Sequence, residues 1–254
     1  MPGKYRNDLN LAGQIQQLLF PKSSPVCAWN CIGVRNRMAE RLGGDYFDFL
    51  DKPENCLTVL IGDVTGHGLG ASVVMSLLYG FIYNSTMQLR SVRDIVRQAN
   101  RFLCGFADRS NDLDHLFSST LFLGIIAPDT LQMHYVNAGH PPPLIRRGNE
   151  LLTLTQTAPP IGFFADPEIA MCSTQLVRGD RLLLYTDGII ELLNTAQEPF
   201  GSNRLASFLL NDDGDHLECL DRLFARLRDF AGGAEFSDDC TAIVIDLHGN
   251  WGST

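Results

Sequence analysis

The chain has 254 residues, 45% of them hydrophobic and 19% charged, so it can bury a substantial core and is no disordered chain. Its formal net charge of -9 argues against a nucleic-acid binder, because phosphate contacts need a concentration of Lys and Arg. The seven cysteines are scattered without a C-x-x-C pair, which disfavours a disulfide framework or a zinc ribbon and makes a reducing cytosol the expected compartment. No basic start followed by an apolar core marks a signal peptide, and no apolar run approaches the roughly 18 residues of a membrane span. The expectation is a soluble, cytoplasmic protein with no membrane partner.

Residues Asp8 to Phe20 carry Leu11, Ile15, Leu18 and Leu19 at helical spacing, which predicts a helix with one apolar stripe. Pro21 stops it, and Pro-Lys-Ser-Ser-Pro reads as a linker. Residues 1–20 are therefore expected to form a regulatory element, and residues 21–254 the main domain. Ala28 to Val34 and Tyr46 to Leu50 read as strands with a Gly43-Gly44 turn between them. The apolar β run Leu57 to Gly62 ends in Asp63. Gly66 to Tyr83 reads as a helix facing the core with Ala71, Val74, Leu78 and Ile82, and Val92 to Ala107 as a second amphipathic helix. Ser118 to Ile126 and Gln132 to Asn137 form a hairpin through Pro-Asp-Thr, and Pro141 to Ile145 is expected to continue that meander. Glu168 to Gln175 and Arg181 to Thr186 read as strands, Ile189 to Leu193 as the start of a short helix, and Asp215 to Phe230 as a long one. Cys240 to Leu247 closes the pattern as a strand. Many antiparallel strands interrupted by helices make an α+β protein, with helices packed on two sheets.

Four carboxylates share one context. Asp45 follows Gly43-Gly44 at a strand entrance, Asp63 and Asp187 end apolar strands, and Asp238, beside Asp239, precedes one. A carboxylate at a buried strand end is costly unless a cation or strong donors compensate it. Carboxylates, carbonyls and waters are the ligand set of Mg²⁺ and Mn²⁺, and two such ions activate water for in-line displacement at phosphorus. Any one Asp in such a place is more often a turn or cap residue, and an acidic chain is often acidic only for solubility.

The order of the motifs is more specific than any one of them. Gly43-Gly44-Asp45-Tyr46-Phe47-Asp48, Gly62-Asp63-Val64-Thr65-Gly66-His67-Gly68, Asn137-Ala138-Gly139-His140-Pro141-Pro142, Gly179-Asp180-Arg181, Tyr185-Thr186-Asp187-Gly188 and Ser237-Asp238-Asp239-Cys240-Thr241 follow one another. This succession resembles the PPM-type (type 2C) serine/threonine phosphatases, specifically their bacterial SpoIIE-like branch, over about residues 9 to 247. The resemblance implies a β-sandwich of two antiparallel sheets flanked by helices, a four-layer αββα arrangement. It implies two divalent cations, Mn²⁺ or Mg²⁺, and catalytic roles as metal ligands for Asp45, Asp63, Asp187 and Asp238. The carbonyl of Val64 joins Asp63 as a ligand, and Asp239 is an alternate to Asp238. The substrate it implies is a phosphorylated anti-sigma-factor antagonist of the STAS type, and an upstream sensory or receiver domain commonly precedes such a domain. The N-terminal helix then serves as a regulatory element and a surface for a homodimer, or docks on its own domain as an extra layer.

The sequence departs from the animal-type enzymes at the position of their proposed general acid, a histidine two residues after the bridging Asp, where this chain has Thr65. Arg35, Arg37 and Arg41 lie in the region of the family's phosphate-binding arginine, none clearly in register. His67 stands at a helix start, where it either meets phosphate or shapes the turn. His140 reads as a structural residue fixed by local hydrogen bonds, Asp48 as a supporting or turn residue, and His115, His134, His216 and His248 as surface or satisfied residues. The competing reading of the whole is a catalytically weak phosphatase-like binding module in a signalling regulator.

Overall fold

The computed structural model describes residues 2–21, 26–51, 56–88, 91–109 and 117–248. In chain order its elements are α1 (Pro2–Gln17), β1 (Val26–Cys27), β2 (Asn30–Arg37), β3 (Asp45–Asp51), β4 (Leu57–Val64), α2 (Gly68–Gln88), α3 (Val92–Ala107), β5 (Ser119–Ile126) and β6 (Gln132–Ala138). There follow β7 (Leu144–Arg147), β8 (Glu150–Thr153), β9 (Cys172–Gln175), β10 (Arg181–Tyr185), α4 (Asp187–Glu191), α5 (Gly201–Asn211), α6 (His216–Ala231) and β11 (Cys240–Leu247). The class is α+β with two antiparallel sheets carrying helices, as expected. The chain divides into two compact units, one of Met1–Lys22, Glu40–His140 and Gln156–Gln175, the other of Ser23–Ala39, Pro141–Thr155 and Leu176–Thr254.

The first unit holds a five-stranded sheet in the order β3-β4-β5-β6-β9. Every residue of β4 except Asp63 is buried, as a central strand covered on both faces requires. Helix α2 lies against β3 and β4, and α3 against β5 and β6. The expected inward residues Ala71, Val74, Leu78 and Ile82 are all buried. Ser91 caps α3 by accepting the Asp94 N–H, which satisfies one of the donors a helix start leaves open. Phe81 of α2 stacks on Phe102 of α3 with ring centroids 4.3 Å apart.

The expected stripe of α1 is not its buried side. Leu11, Ile15 and Leu18 are exposed, and Gly13, Gln16 and the following Phe20 face inward. The cause is a close approach: a Cβ on Gly13 would stand 2.5 Å from the carbonyl oxygen of Arg41, so only the glycine face fits there. Phe20 completes the contact by stacking on Phe47 at 4.7 Å. Of the linker expected from Pro21 to Pro25, residues 22–25 lie outside the described residues, as does His115.

The second unit holds a sheet in the order β1-β2-β11-β10-β7-β8. Strand β7 therefore does not extend the β5–β6 meander. It pairs with β8 and β10, and the outer neighbour of β6 is β9. The prolines at 141–143 deny the chain the N–H groups that a continued ladder needs, and it leaves the first sheet there. β8 and α5 were not expected from the sequence, and the strand expected over Glu168 to Gln175 shrinks to Cys172–Gln175. Leu183, Phe200, Leu205, Leu223, Phe224 and Val244 build this unit's core under α4, α5 and α6. Asp215 and Glu218 form a capping box at the start of α6, and Gly232 ends it in the left-handed conformation. The Gly179-Asp180-Arg181 motif has a structural task. Asp180 forms a two-point ion pair with Arg147, and buried Arg181 forms one with Asp246 while also reaching Asp212.

Candidate active site

Antiparallel register places Asp45 of β3 directly opposite Asp63 of β4. Partners in register share a face of the sheet, so two carboxylates stand side by side, an arrangement that is destabilising unless something compensates it. Neighbouring groups hold Asp63 by its backbone. Its N–H donates to Thr120 Oγ1 at 3.2 Å, and its carbonyl accepts from Ser119 Oγ at 2.7 Å. Thr120 Oγ1 also lies 3.0 Å from His140 Nδ1, and the His140 N–H donates to Asn137 Oδ1. Tyr46 passes under the opposite side of the sheet, where its hydroxyl meets Ser119 Oγ at 3.0 Å and burial drives its ionisation far above the ordinary range. Gly62 makes room for that ring, since a Cβ there would stand 2.4 Å from it.

The space above Gly44 defines the site. A Cβ on Gly44 would sit 2.7 Å from Asp63 Oδ1, 2.9 Å from the Val64 carbonyl oxygen and 3.5 Å from that of Gly66. Three oxygens thus face one small volume that only glycine leaves open. The turn that aims them, Gly66-His67-Gly68, needs positive φ at both glycines, 93° and 73°. His67 between them is exposed and reaches Glu40 at 3.3 Å. Thr65, in the place of the animal-type histidine, pairs its hydroxyl with that of Ser118 at 2.7 Å. Beside it opens a cavity of about 630 Å³, lined by Cys104, Ser118, Thr120, Pro160 and Phe163 among others. Asp48 points elsewhere, accepting from the Tyr79 hydroxyl at 2.6 Å and the Phe49 N–H at 2.8 Å, and burial raises its pKa.

In the second unit Asp187 opens α4 and Asp238 precedes β11. Burial first, then the charge of Asp238, raises the pKa of Asp187. Gly188 brings the two together, because a Cβ there would stand 2.1 Å from the Asp239 carbonyl oxygen and 3.4 Å from Asp238 Cβ. Asp238 is exposed and its Oδ1 accepts the Asp239 N–H at 2.8 Å, whereas Asp239 is buried and accepts the Ala39 N–H at 2.8 Å. Of the arginines, Arg35 pairs with Asp221 at 2.8 Å and Arg37 lies 4.1 Å over the Phe236 ring.

The donor set suits a hard cation. Among the described residues no three His, Cys, Asp or Glu side chains form a metal cluster. The carboxylates come in pairs, the first with carbonyl oxygens beside it. Mg²⁺ and Mn²⁺ take one or two carboxylates and keep several waters, whereas structural zinc calls for His and Cys.

A family model described as Stage II sporulation protein E (SpoIIE) matches residues 53–248. The chain belongs to the SpoIIE family. The phosphoserine phosphatase RsbP of Bacillus subtilis is 31% identical over 213 residues, 82% of this chain and 50% of that protein. Protein IcfG of Synechocystis sp. is 26% identical over 96% of this chain and 42% of its own length. The chain thus spans about half the length of these curated relatives. Among solved structures, the SiaA-PP2C domain of Pseudomonas aeruginosa superposes with a TM-score of 0.82 at 18% identity, over 96% of this chain and 98% of that one. The fold of this SpoIIE-family chain is that of PP2C-type phosphatase domains.

Sequence reasoning missed the groups that hold Asp63 in place. Ser119 and Thr120 lie outside the acidic motifs, Tyr46 stands within one but drew no role there, and the one available signal for the hydroxyls was the run Ser118-Ser119-Thr120 at a strand start.

Proposed function

We propose that this chain is a metal-dependent phosphoprotein phosphatase that hydrolyses phosphoserine or phosphothreonine with water and without a covalent intermediate. The observation that carries the reading is the convergence of the Asp63 carboxylate and the Val64 carbonyl on the space above Gly44, beside Asp45. Asp45, Asp63 and the Val64 carbonyl are the groups we assign to the cations, two Mn²⁺ or Mg²⁺. Asp187 and Asp238 are further ligands by resemblance, with Asp239 as the alternate. When bound, the cations supply the charge that makes water nucleophilic and offsets the charge of the phosphoryl oxygens. The chain's own part is positioning. Thr120 and Ser119 fix the backbone of Asp63, and Gly44 keeps the space clear. Among the described residues no Ser or Cys stands in a nucleophile elbow, and the cysteines are partly or fully buried and form no disulfide.

The substrate in this proposal is a phosphorylated regulatory protein, by resemblance an anti-sigma-factor antagonist of the STAS type. RsbP's designation as a phosphoserine phosphatase supports the chemistry. An upstream sensory or receiver domain and a homodimer through α1 belong to the same reading. The exposed Leu11, Ile15 and Leu18, at 56%, 56% and 63%, offer a second copy an apolar face. No helix among the described residues is long and apolar enough to cross a membrane. The second reading is a catalytically weak binding module, favoured only in that no group of three His, Cys, Asp or Glu side chains is found together among the described residues. The test is phosphate release from a panel of phosphoserine and phosphothreonine proteins with Mn²⁺, with and without chelator. Chelator-reversible release is expected, and a panel left untouched at saturating Mn²⁺ favours the binding module.

A further inference from the structure

Gln16 is buried to 3% exposure, an uncommon place for a glutamine on a terminal helix with exposed leucines. Its carboxamide pairs with both backbone polar groups of one residue. Nε2 donates to the Gly43 carbonyl at 2.8 Å, and Oε1 accepts the Gly43 N–H at 3.1 Å. Gly43 lies two residues before Asp45 and adjoins Gly44, above which the Asp63 and Val64 oxygens converge. Two contacts flank this one. Gly13 lets α1 approach the Arg41 carbonyl, and Phe20 stacks on Phe47 of β3.

We infer that Gln16 is a positioning residue for the metal-ligand turn, holding Gly43-Gly44-Asp45 in the geometry that cation binding needs. The inference rests on the reading of Asp45 as a ligand. A carboxamide paired with both the N–H and the C=O of one residue ties down the two peptide units on either side of its Cα, which a single hydrogen bond or an apolar contact does not. The next residue is tied separately, by the Gly44 carbonyl accepting the Val64 N–H at 3.3 Å, and the two consecutive glycines bring no side chains of their own to fix the turn, so the Gln16 pair adds a hold on the Gly43 side. Helix α1 and the turn after it therefore have two faces with different tasks. Gly13, Gln16 and Phe20 hold the ligand turn, while Leu11, Ile15 and Leu18 face outward. A partner that displaces α1 loosens Asp45 through Gln16.

The test compares the full chain with its Gln16→Met and Phe20→Leu variants. Methionine keeps the volume of glutamine and removes both hydrogen bonds, whereas Phe20→Leu loosens the same helix without touching Gly43. Mn²⁺ affinity is read by calorimetry, Gly43 N–H protection by hydrogen exchange, and metal-free stability by melting. Groups that orient metal ligands typically contribute about 10- to 100-fold in affinity. Gln16→Met should weaken Mn²⁺ binding at least about tenfold and release the Gly43 amide, while Phe20→Leu lowers stability with a far smaller effect on affinity. Should Gln16→Met not fold, Gln16→Asn, one methylene short of Gly43, is read in its place. Wild-type Mn²⁺ affinity in the folded variant overturns the inference, and so do affinity losses that merely track the melting temperature in both variants. A wild-type chain that binds no Mn²⁺ overturns the ligand reading of Asp45, and this inference with it.

Discussion

Gly44→Ala isolates the proposed site with one methyl group. The residue does not have positive φ, so alanine is conformationally allowed and lowers the entropy of the unfolded chain, worth about 0.4–1 kcal/mol in favour of folding. The new Cβ would stand 2.7 Å from Asp63 Oδ1, about 0.7 Å inside ordinary contact at 3.4 Å, and 2.9 Å from the Val64 carbonyl. The Val64 oxygen is backbone and yields little, so the Asp63 carboxylate must swing away by most of an ångström. Overpacking of this kind costs about 1–3 kcal/mol, which leaves a folded protein with a modest net loss. A misplacement of about 1 Å in a catalytic array costs roughly 10²-fold in rate. Phosphate release at fixed Mn²⁺ should therefore fall about 10²-fold, while the metal-free melting temperature drops by only a few degrees. Turnover within about threefold of wild type, in a folded Gly44→Ala protein, would refute the assignment of that space to a cation.

Three further outcomes are expected. Arg181→Ala strips the guanidinium from half-buried Asp246 and removes a partner of buried Asp212, so urea unfolding should show a loss of about 3–5 kcal/mol, and a loss below about 1 would mean the network is not stabilising. Burial pushes the Asp212 carboxyl up, but the hydrogen bond and charge of Arg222, with the charge of Arg181, outweigh it and hold the group below the usual carboxylate range. Its contribution is then present above the unfolded value near ~3.9 and fades as pH falls through the folded value, so Asp212→Asn should flatten the acid limb of stability against pH, and parallel curves would contradict this. Leu11→Glu with Leu18→Glu places charge on the exposed face of α1 and should shift sedimentation from dimer to monomer, whereas an unchanged mass removes α1 as a dimer surface.

The carboxylates were legible in the sequence because each sits where a β run meets a turn, three of them beside glycine, and the strand register then made Asp45 and Asp63 neighbours. Periodicity located α1, α2 and α3, whose apolar spacing is independent of what surrounds them. It could not choose the face of α1, because Gly13 and Gln16 face inward for reasons held by Arg41 and Gly43, some 27 residues on for the Gln16 pair. Nor did it reveal that β7 joins the other sheet, since which strand a strand pairs with is a non-local choice. Thr120 and Ser119 were hidden for the same reason. A hydroxyl in a strand has no local mark of the backbone it will bond across the sheet.

The most direct test of the central claim follows the phosphoserine signal of a phosphorylated STAS-type protein by phosphorus NMR, at saturating Mn²⁺, with the wild type and with Asp63→Ala and Asp187→Ala. The account predicts conversion to inorganic phosphate by the wild type alone, with both variants folded and silent, since each loses a ligand without emptying the apolar core. Wild-type turnover in either folded variant would contradict it.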